Sequence, residues 1–195
     1  PGLEAVRVRL LPARGGVATV VPPNAMVLTS QYMQTEPDGS FHVDFMGAGE
    51  YRLQLTGLPP DAYVSSARFG TTDILNQPLR FTGTTADTLD VVLRPTGGRV
   101  EGSVVDRAGA PAGSTLVAIV PARNDRVVLF RTATTDRDGR FIFRGLPPGD
   151  YQVVAGPDID HFAYFDPNVL KQLDSQIRRV AVADGSASKV EIRLR

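Results

Sequence analysis

The chain of 195 residues contains no cysteine and no tryptophan. Without thiols there is no disulfide, no thiolate nucleophile and no cysteine-based zinc site. Histidine occurs only at His42 and His161, which excludes a histidine-rich metal centre. An excess of one charge is also missing, since 21 Lys and Arg balance 21 Asp and Glu. No positive surplus draws the chain to phosphates, so no nucleic-acid partner is expected. No basic amphipathic stretch marks a membrane surface. No apolar run approaches the ~18 residues of a spanning helix, so no membrane insertion is expected. Nothing in the composition asks for a cofactor. The lack of cysteine does not fix a compartment, because it fits an exported bacterial protein and many cytosolic ones. A start at Pro1 is expected of a mature or excised piece of something longer.

What is abundant is punctuation. Glycine (19) and proline (15) make up about one residue in six, more than in an average chain. They separate short runs of alternating hydrophobicity, the pattern of an all-β protein with many turns. The length allows one domain or two.

An internal repeat decides for two. Asp38-Gly39-Ser40-Phe41-His42-Val43 is followed a hundred positions later by Asp138-Gly139-Arg140-Phe141-Ile142-Phe143. Gly49-Glu50-Tyr51-Arg52-Leu53 falls likewise on Gly149-Asp150-Tyr151-Gln152-Val153. Leu89, Val91 and Leu93 match Val190, Ile192 and Leu194 with one extra residue. The expected division is 1–95 and 96–195, with Pro95-Thr96-Gly97-Gly98 as the turn between them.

The second copy predicts about seven strands. Val100, Gly102 and Val104 alternate. Thr115 to Val120 is nearly all apolar, the pattern of a strand buried on both faces. Arg126 to Thr134 is the next strand. Asp138-Gly139 turns a hairpin into Arg140–Arg144, with Phe141 and Phe143 on one face. Tyr151 to Ala155, Arg179 to Ala183 and Lys189 to Arg195 complete the set. Asp166-Pro167 predicts an N-cap and first turn of a short helix to about Asp174. In the first copy Val6, Val8 and Leu10 correspond to the second strand, and nothing before them matches Val100–Val104. The missing strand is expected from upstream sequence or from the long Gly15–Ser30 segment.

The string Gly102-Ser103-Val104-Val105-Asp106, Gly109-Ala110-Pro111, Thr135-Asp136, Asp138-Gly139-Arg140-Phe141 and Leu146-Pro147-Pro148-Gly149-Asp150-Tyr151 resembles the carboxypeptidase regulatory-like domain. That family is close to Cna B-type repeats and to the transthyretin-like sandwich. The resemblance covers nearly all of the second copy and the first from Asp38 to Leu55. It implies an all-β fold of two tandem Ig-like or prealbumin-like antiparallel Greek-key β-sandwiches, with one short helix in the second. It implies an accessory module in an extracellular, cell-surface or periplasmic setting, partnered by other domains of the parent protein or by an envelope protein. It does not imply a peptidase.

Several residues invite chemistry. Asp136 and Asp138 suggest a calcium loop, but the closing position of a twelve-residue loop falls on Pro147; a hairpin turn is expected. Tyr51 and Tyr151 are expected to act like the tyrosine corner of Ig-like sandwiches. No Gly-x-Ser-x-Gly elbow supports a triad, and His42 is expected to face solvent from a strand. Cna B-type repeats often contain a Lys–Asn or Lys–Asp isopeptide. Here the lysines are Lys171 and Lys189, neither on an opening strand, so no cross-link is expected. The densest polar and aromatic cluster is Asp158, Asp160, His161, Phe162, Tyr164, Phe165 and Asp166. It is a candidate interaction loop, or a packed corner that launches the helix. No catalytic, cofactor or metal residues are assigned. The leading expectation is a non-enzymatic structural spacer or protein-interaction module. The rivals are a glycan-binding module and an enzyme working at the 158–166 loop.

Overall fold

The structure is a computed structural model that describes residues 5–13, 33–43, 47–83, 86–122, 129–156 and 177–194. It divides into two compact units. Unit 1 comprises Pro1–Pro59 and Val64–Leu93; unit 2 comprises Pro60–Tyr63 and Arg94–Arg195. The first strands are β1 (Arg7–Pro12), β2 (Met33–Gln34), β3 (Gly49–Thr56), β4 (Tyr63–Phe69), β5 (Thr72–Asp73), β6 (Leu79–Phe81) and β7 (Leu89–Arg94). The second set is β8 (Gly98–Val105), β9 (Leu116–Pro121), β10 (Arg131–Thr134), β11 (Arg140–Leu146), β12 (Gly149–Gly156), β13 (Arg178–Val182) and β14 (Ala187–Arg193). Sheets run β2-β1-β3-β6 and β5-β4-β7 in unit 1, and β10-β9-β12-β13 and β11-β8-β14 in unit 2. The architecture is all-β and sandwich-like. No α-helix occurs among the described residues; the helix expected after Pro167 lies outside them.

Alternation puts the expected side chains inside. Phe141, Phe143, Tyr151, Val153 and Ile192 share one buried cluster with Val100, Val104, Val117 and Ile119. Unit 1 gathers Val8, Leu10, Leu53, Ala67, Ile74 and Leu79, with Phe41 and Tyr51 packed against them. The apolar run in β9 is buried on both faces, as its composition required. Val117 and Ile119 enter the main core, while Ala118, Val120 and Val154 are 0% exposed in a separate cluster. Leu116, Phe130 and Ile177 pack on that second cluster.

Matching registers appear in the two units. In unit 1, Pro12 lies opposite Tyr51 and Leu10 opposite Leu53. In unit 2, Pro121 lies opposite Tyr151 and Ile119 opposite Val153.

Three expectations need correction. The sandwiches are not wholly antiparallel, because β14 pairs parallel with β8, from Ala187–Arg99 to Arg193–Val105. Parallel and antiparallel neighbours show the same period-two alternation, so the pattern does not reveal direction. The 15–30 segment expected to supply the missing strand lies outside the described residues; among the described residues the strand beside β7 is β4, which lies between β5 and β7. Gly70 N–H donates to Thr88 O at 3.0 Å and the Ser65 hydroxyl to Val92 O at 3.1 Å, contacts that descend β7 as they climb β4. The strand expected from Arg126 begins at Arg131, with 123–128 outside the described residues. His42 is exposed, but from an irregular segment rather than a strand.

Glycine at position 102 has a steric cause. A Cβ there would meet Val190 O at 2.2 Å and the Phe141 ring at 2.7 Å, so the ring lies directly over the backbone. On two edge strands of unit 2, guanidinium groups cap backbone carbonyls. Arg131 donates to Arg144 O at 2.6 Å and Gly145 O at 3.2 Å on β11. Arg178 Nε donates to Glu191 O at 3.1 Å on β14. Burial pushes the Arg131 guanidinium down from its ordinary value.

Candidate functional site

All seven residues of the expected interaction loop, Asp158, Asp160, His161, Phe162, Tyr164, Phe165 and Asp166, lie outside the described residues, as does Lys171. The remaining motif residues are described, and their partners are backbone groups.

Asp136 Oδ1 accepts the Asp138 and Arg140 amides at 2.9 and 2.8 Å. The turn closes with Gly139 N–H on Asp136 O at 3.0 Å, and Gly139 has φ 72°, a region glycine enters without strain. Asp106 builds the same device, with Oδ1 accepting the Ala108 and Ala110 amides at 2.9 Å. In unit 1, Gly39 N–H donates to Glu36 O at 2.9 Å, and Asp38 Oδ1 accepts the Ser40 amide at 2.9 Å. The hydrogen bonds from Ser40 hold the Asp38 carboxyl below its usual value. An Asp oxygen that accepts two amides is a turn element, and these bonds build the expected hairpin.

A threonine precedes the Asp136 and Asp38 turns, and both threonines are buried. Thr135 Oγ1 donates to Ala112 O at 2.7 Å and accepts the Thr115 amide at 2.9 Å. Thr35 Oγ1 donates to Val6 O at 3.2 Å. Sequence reasoning quoted Thr135 without assigning it work; its repetition as Thr35 a hundred positions earlier was the available signal. The tyrosines also act on the backbone. Tyr151 O–H donates to Pro147 O at 2.9 Å, and Tyr51 O–H to Gly47 O at 2.8 Å. Both reach back four residues, as a tyrosine corner does.

Sequence reasoning missed one cluster in unit 2. Tyr63 is buried and its hydroxyl donates to Asp184 Oδ1 at 2.8 Å. Arg94 reaches Asp184 Oδ2 at 3.4 Å. Gly97 N–H donates to Asp61 O at 2.7 Å, and Arg144 lies 3.7 Å from Asp61 Oδ1. Burial, then the bond to Asp184, pushes the Tyr63 phenol above its ordinary value.

An open trough of about 710 Å³ lies on the strands β8, β11 and β14, lined by Glu101, Ser103, Arg140, Ile142, Lys189 and Glu191 among others. Register aligns them in rows, Ile142 and Lys189 flanking Glu101, and Arg140 and Glu191 flanking Ser103. Lys189 Nζ sits 3.7 Å from Glu101 Oε1 with its side chain 84% exposed. Arg99 Nε sits 3.8 Å from Glu101 Oε2. Such solvated pairs contribute little to stability, about 0–1 kcal/mol. Ile142 is 42% exposed beside them. The face offers mixed charge around the exposed Ile142 side chain. Among the described residues no group of three or more His, Asp or Glu could hold a metal.

The hairpin turns, the buried Thr135, the corner at Tyr151 and the crowded Gly102 together form one signature. Residues 99–195 match the carboxypeptidase regulatory-like domain. All the matched residues lie in unit 2. No curated protein sequence matches the chain. Several solved structures are similar in outline. The major pilin subunit of Bacillus cereus is 14% identical, with 84% of this chain and 36% of that chain covered and a TM-score of 0.37. The minor pilin of Streptococcus agalactiae is 11% identical, covering 98% of this chain and 83% of its own, at a TM-score of 0.35. Catechol 1,2-dioxygenase from Acinetobacter is 14% identical, covering 51% and 52%, at a TM-score of 0.30.

Proposed function

We propose that the chain is a pair of carboxypeptidase regulatory-like β-sandwiches, divided near residue 95, that acts as a non-catalytic spacer or protein-interaction module of a secreted or cell-surface bacterial protein. One observation carries this reading. The described signature residues are spent on architecture: Asp106 and Asp136 bind turn amides, Thr135 bridges two backbone groups, Tyr151 ties Pro147, and Gly102 admits a ring. A signature used up in this way specifies a scaffold and leaves binding to the surfaces between its strands.

The partners this reading favours are other domains of the parent protein or an envelope protein, in an extracellular or periplasmic setting. The 157–166 segment is the proposed contact, with Phe162, Tyr164 and Phe165 as anchors. The purified chain, presented with peptide, ester and glycoside substrates, is expected to turn over none of them. Turnover lost in His161→Ala would overturn the reading. Alanine at Phe162, Tyr164 and Phe165 is expected to weaken capture of the partner with the melting temperature unchanged. Capture indifferent to all three removes that loop from the proposal.

A further inference from the structure

Strand β7 ends its sheet, with β4 on one side and no strand beyond it among the described residues. Its exposure alternates strictly: Leu89, Val91 and Leu93 are half-buried, while Asp90, Val92 and Arg94 are exposed. Val92 is 50% exposed, the most exposed large hydrophobic side chain among the described residues. Leu89 and Val91 pack on the unit 1 core, which holds the strand in this orientation. The carbonyls of Thr88 and Val92 turn towards β4, where they accept from Gly70 N–H at 3.0 Å and from the Ser65 hydroxyl at 3.1 Å. Backbone groups of successive residues in a strand point to opposite sides. Leu89, Val91 and Leu93 therefore turn their N–H and C=O groups to the open edge. Such a row is a template for another strand.

The exposed face selects that strand. Asp90, Val92 and Arg94 form the series acid, apolar, base, and in antiparallel order the series is its own complement. With Val92 opposite Val92 of a second copy, Asp90 meets Arg94 of the second copy and Arg94 meets its Asp90. These are the non-hydrogen-bonded pairs, in which side chains approach most closely. Val91 and Leu93 then face each other across the pair and exchange their edge-pointing hydrogen bonds. Other registers lose the match. A two-fold axis at Asp90 or Arg94 sets like charges opposite each other, and an axis at Val91 or Leu93 sets a charge against Val92. An axis between two residues sets edge-pointing groups against groups turned to β4. Pro95 has no N–H and ends the ladder. Existing contacts do not use up the charged groups: the Thr88 hydroxyl lies 3.5 Å from Asp90 Oδ2 and Arg94 Nη1 lies 3.4 Å from Asp184 Oδ2, while a carboxylate and a guanidinium each serve several partners. We propose that β7 is a self-recognition edge, at which two copies of this chain pair antiparallel through Asp90, Val92 and Arg94. The proposal goes beyond the spacer reading and does not depend on the 157–166 segment.

Sedimentation velocity of the full chain over a wide concentration range tests it. A strand edge alone covers less than the ~1,000 Å² of a stable interface, so a weak monomer–dimer equilibrium is expected. An isologous contact stops at two copies. Asp90→Arg and Arg94→Asp each set like charges opposite each other, and each is expected to weaken dimerisation about tenfold or more. Mixing the two variants restores opposite charges across the pair, so the mixture is expected to dimerise as the unaltered chain does. Val92→Lys, which leaves the Asp184 contact alone, is expected to abolish the dimer while the amide spectrum is retained. A chain that stays monomeric at every concentration overturns the proposal. So does a dimer indifferent to Asp90→Arg and Val92→Lys, a mixture of the two folded charge variants that stays monomeric, or assembly beyond two copies.

Discussion

The two units share registers and turn devices, yet they treat the same pair of positions in opposite ways. In unit 2, Ala118 lies opposite Val154, and both are fully buried on the outer side of their sheet. In unit 1 the matching pair is Arg9 opposite Gln54, and Gln54 is exposed. One sandwich has its four-stranded sheet covered on both faces; the other follows the ordinary antiparallel plan of one face in and one face out. The unit with the doubly covered sheet is also the one in which most core residues have no exposure, such as Val100, Val104, Val117, Ile119 and Val153. The signature sets register and turns, while burial is set by the residues between the signature positions.

Three pairs of substitutions, one titration and one glycine replacement break or sharpen that contrast. The largest effect is expected from Phe141→Ala, which empties the site over Gly102 and costs about 3–5 kcal/mol. Phe41→Ala, from an irregular half-buried segment, costs far less. Urea unfolding followed by hydrogen exchange resolved for each unit separates the two. Val154→Gln gives unit 2 the unit 1 residue and buries an amide among apolar neighbours. It is expected to cost roughly 1–3 kcal/mol, whereas Gln54→Val in unit 1 changes stability little. Equal responses would show that the second face of unit 2 is not covered. Tyr151→Phe leaves a buried carbonyl unpaired and is expected to cost about 1–2 kcal/mol; Tyr51→Phe, where water replaces the lost bond, costs a few tenths.

The fourth effect depends on pH. Tyr63 has its phenol raised in the folded state. The neutral form is therefore the one the fold favours. Its stabilisation is complete below the ordinary phenol value near ~10 and is lost as pH rises through the folded value. The urea midpoint of unit 2 is expected to fall across that alkaline window, and Tyr63→Phe flattens the fall. The smallest effect is expected at Ser114, whose φ of 55° is unusual for a residue with a side chain. Ser114→Gly relieves that strain against a more flexible unfolded chain, so thermal unfolding shifts by a degree or two at most.

Much of this architecture is legible in the sequence. Asp-Gly pairs mark hairpins, Phe141 and Phe143 alternate inward, and the unbroken apolar run of β9 announces two covered faces. What stayed hidden was position rather than type. The segment Tyr63–Phe69 folds as the central strand β4. Tyr63, Ala67 and Phe69 keep a period of two, yet the intervening Ser65 and Ser66 blur the pattern. Which strand lies beside the last one depends on competition for a single slot, and local patterning does not encode that contest. Of the candidate site, the sequence showed the polar and aromatic composition of 158–166 but not the trough on β8, β11 and β14, whose lining comes from three separate stretches.

The guanidinium groups on the edges of unit 2 bear on how such a chain behaves when many copies crowd together. A bare edge strand offers alternating donors and acceptors, and a neighbouring chain extends the sheet by matching them. Arg131 and Arg178 occupy carbonyls of β11 and β14 from the side. Each removes acceptors while offering only further donors and a positive charge. An incoming strand would have to surrender those bonds and desolvate the cation before its first ladder contact. At these carbonyls a strand adding to β11 or β14 meets a barrier, which works against sheet growth between crowded copies.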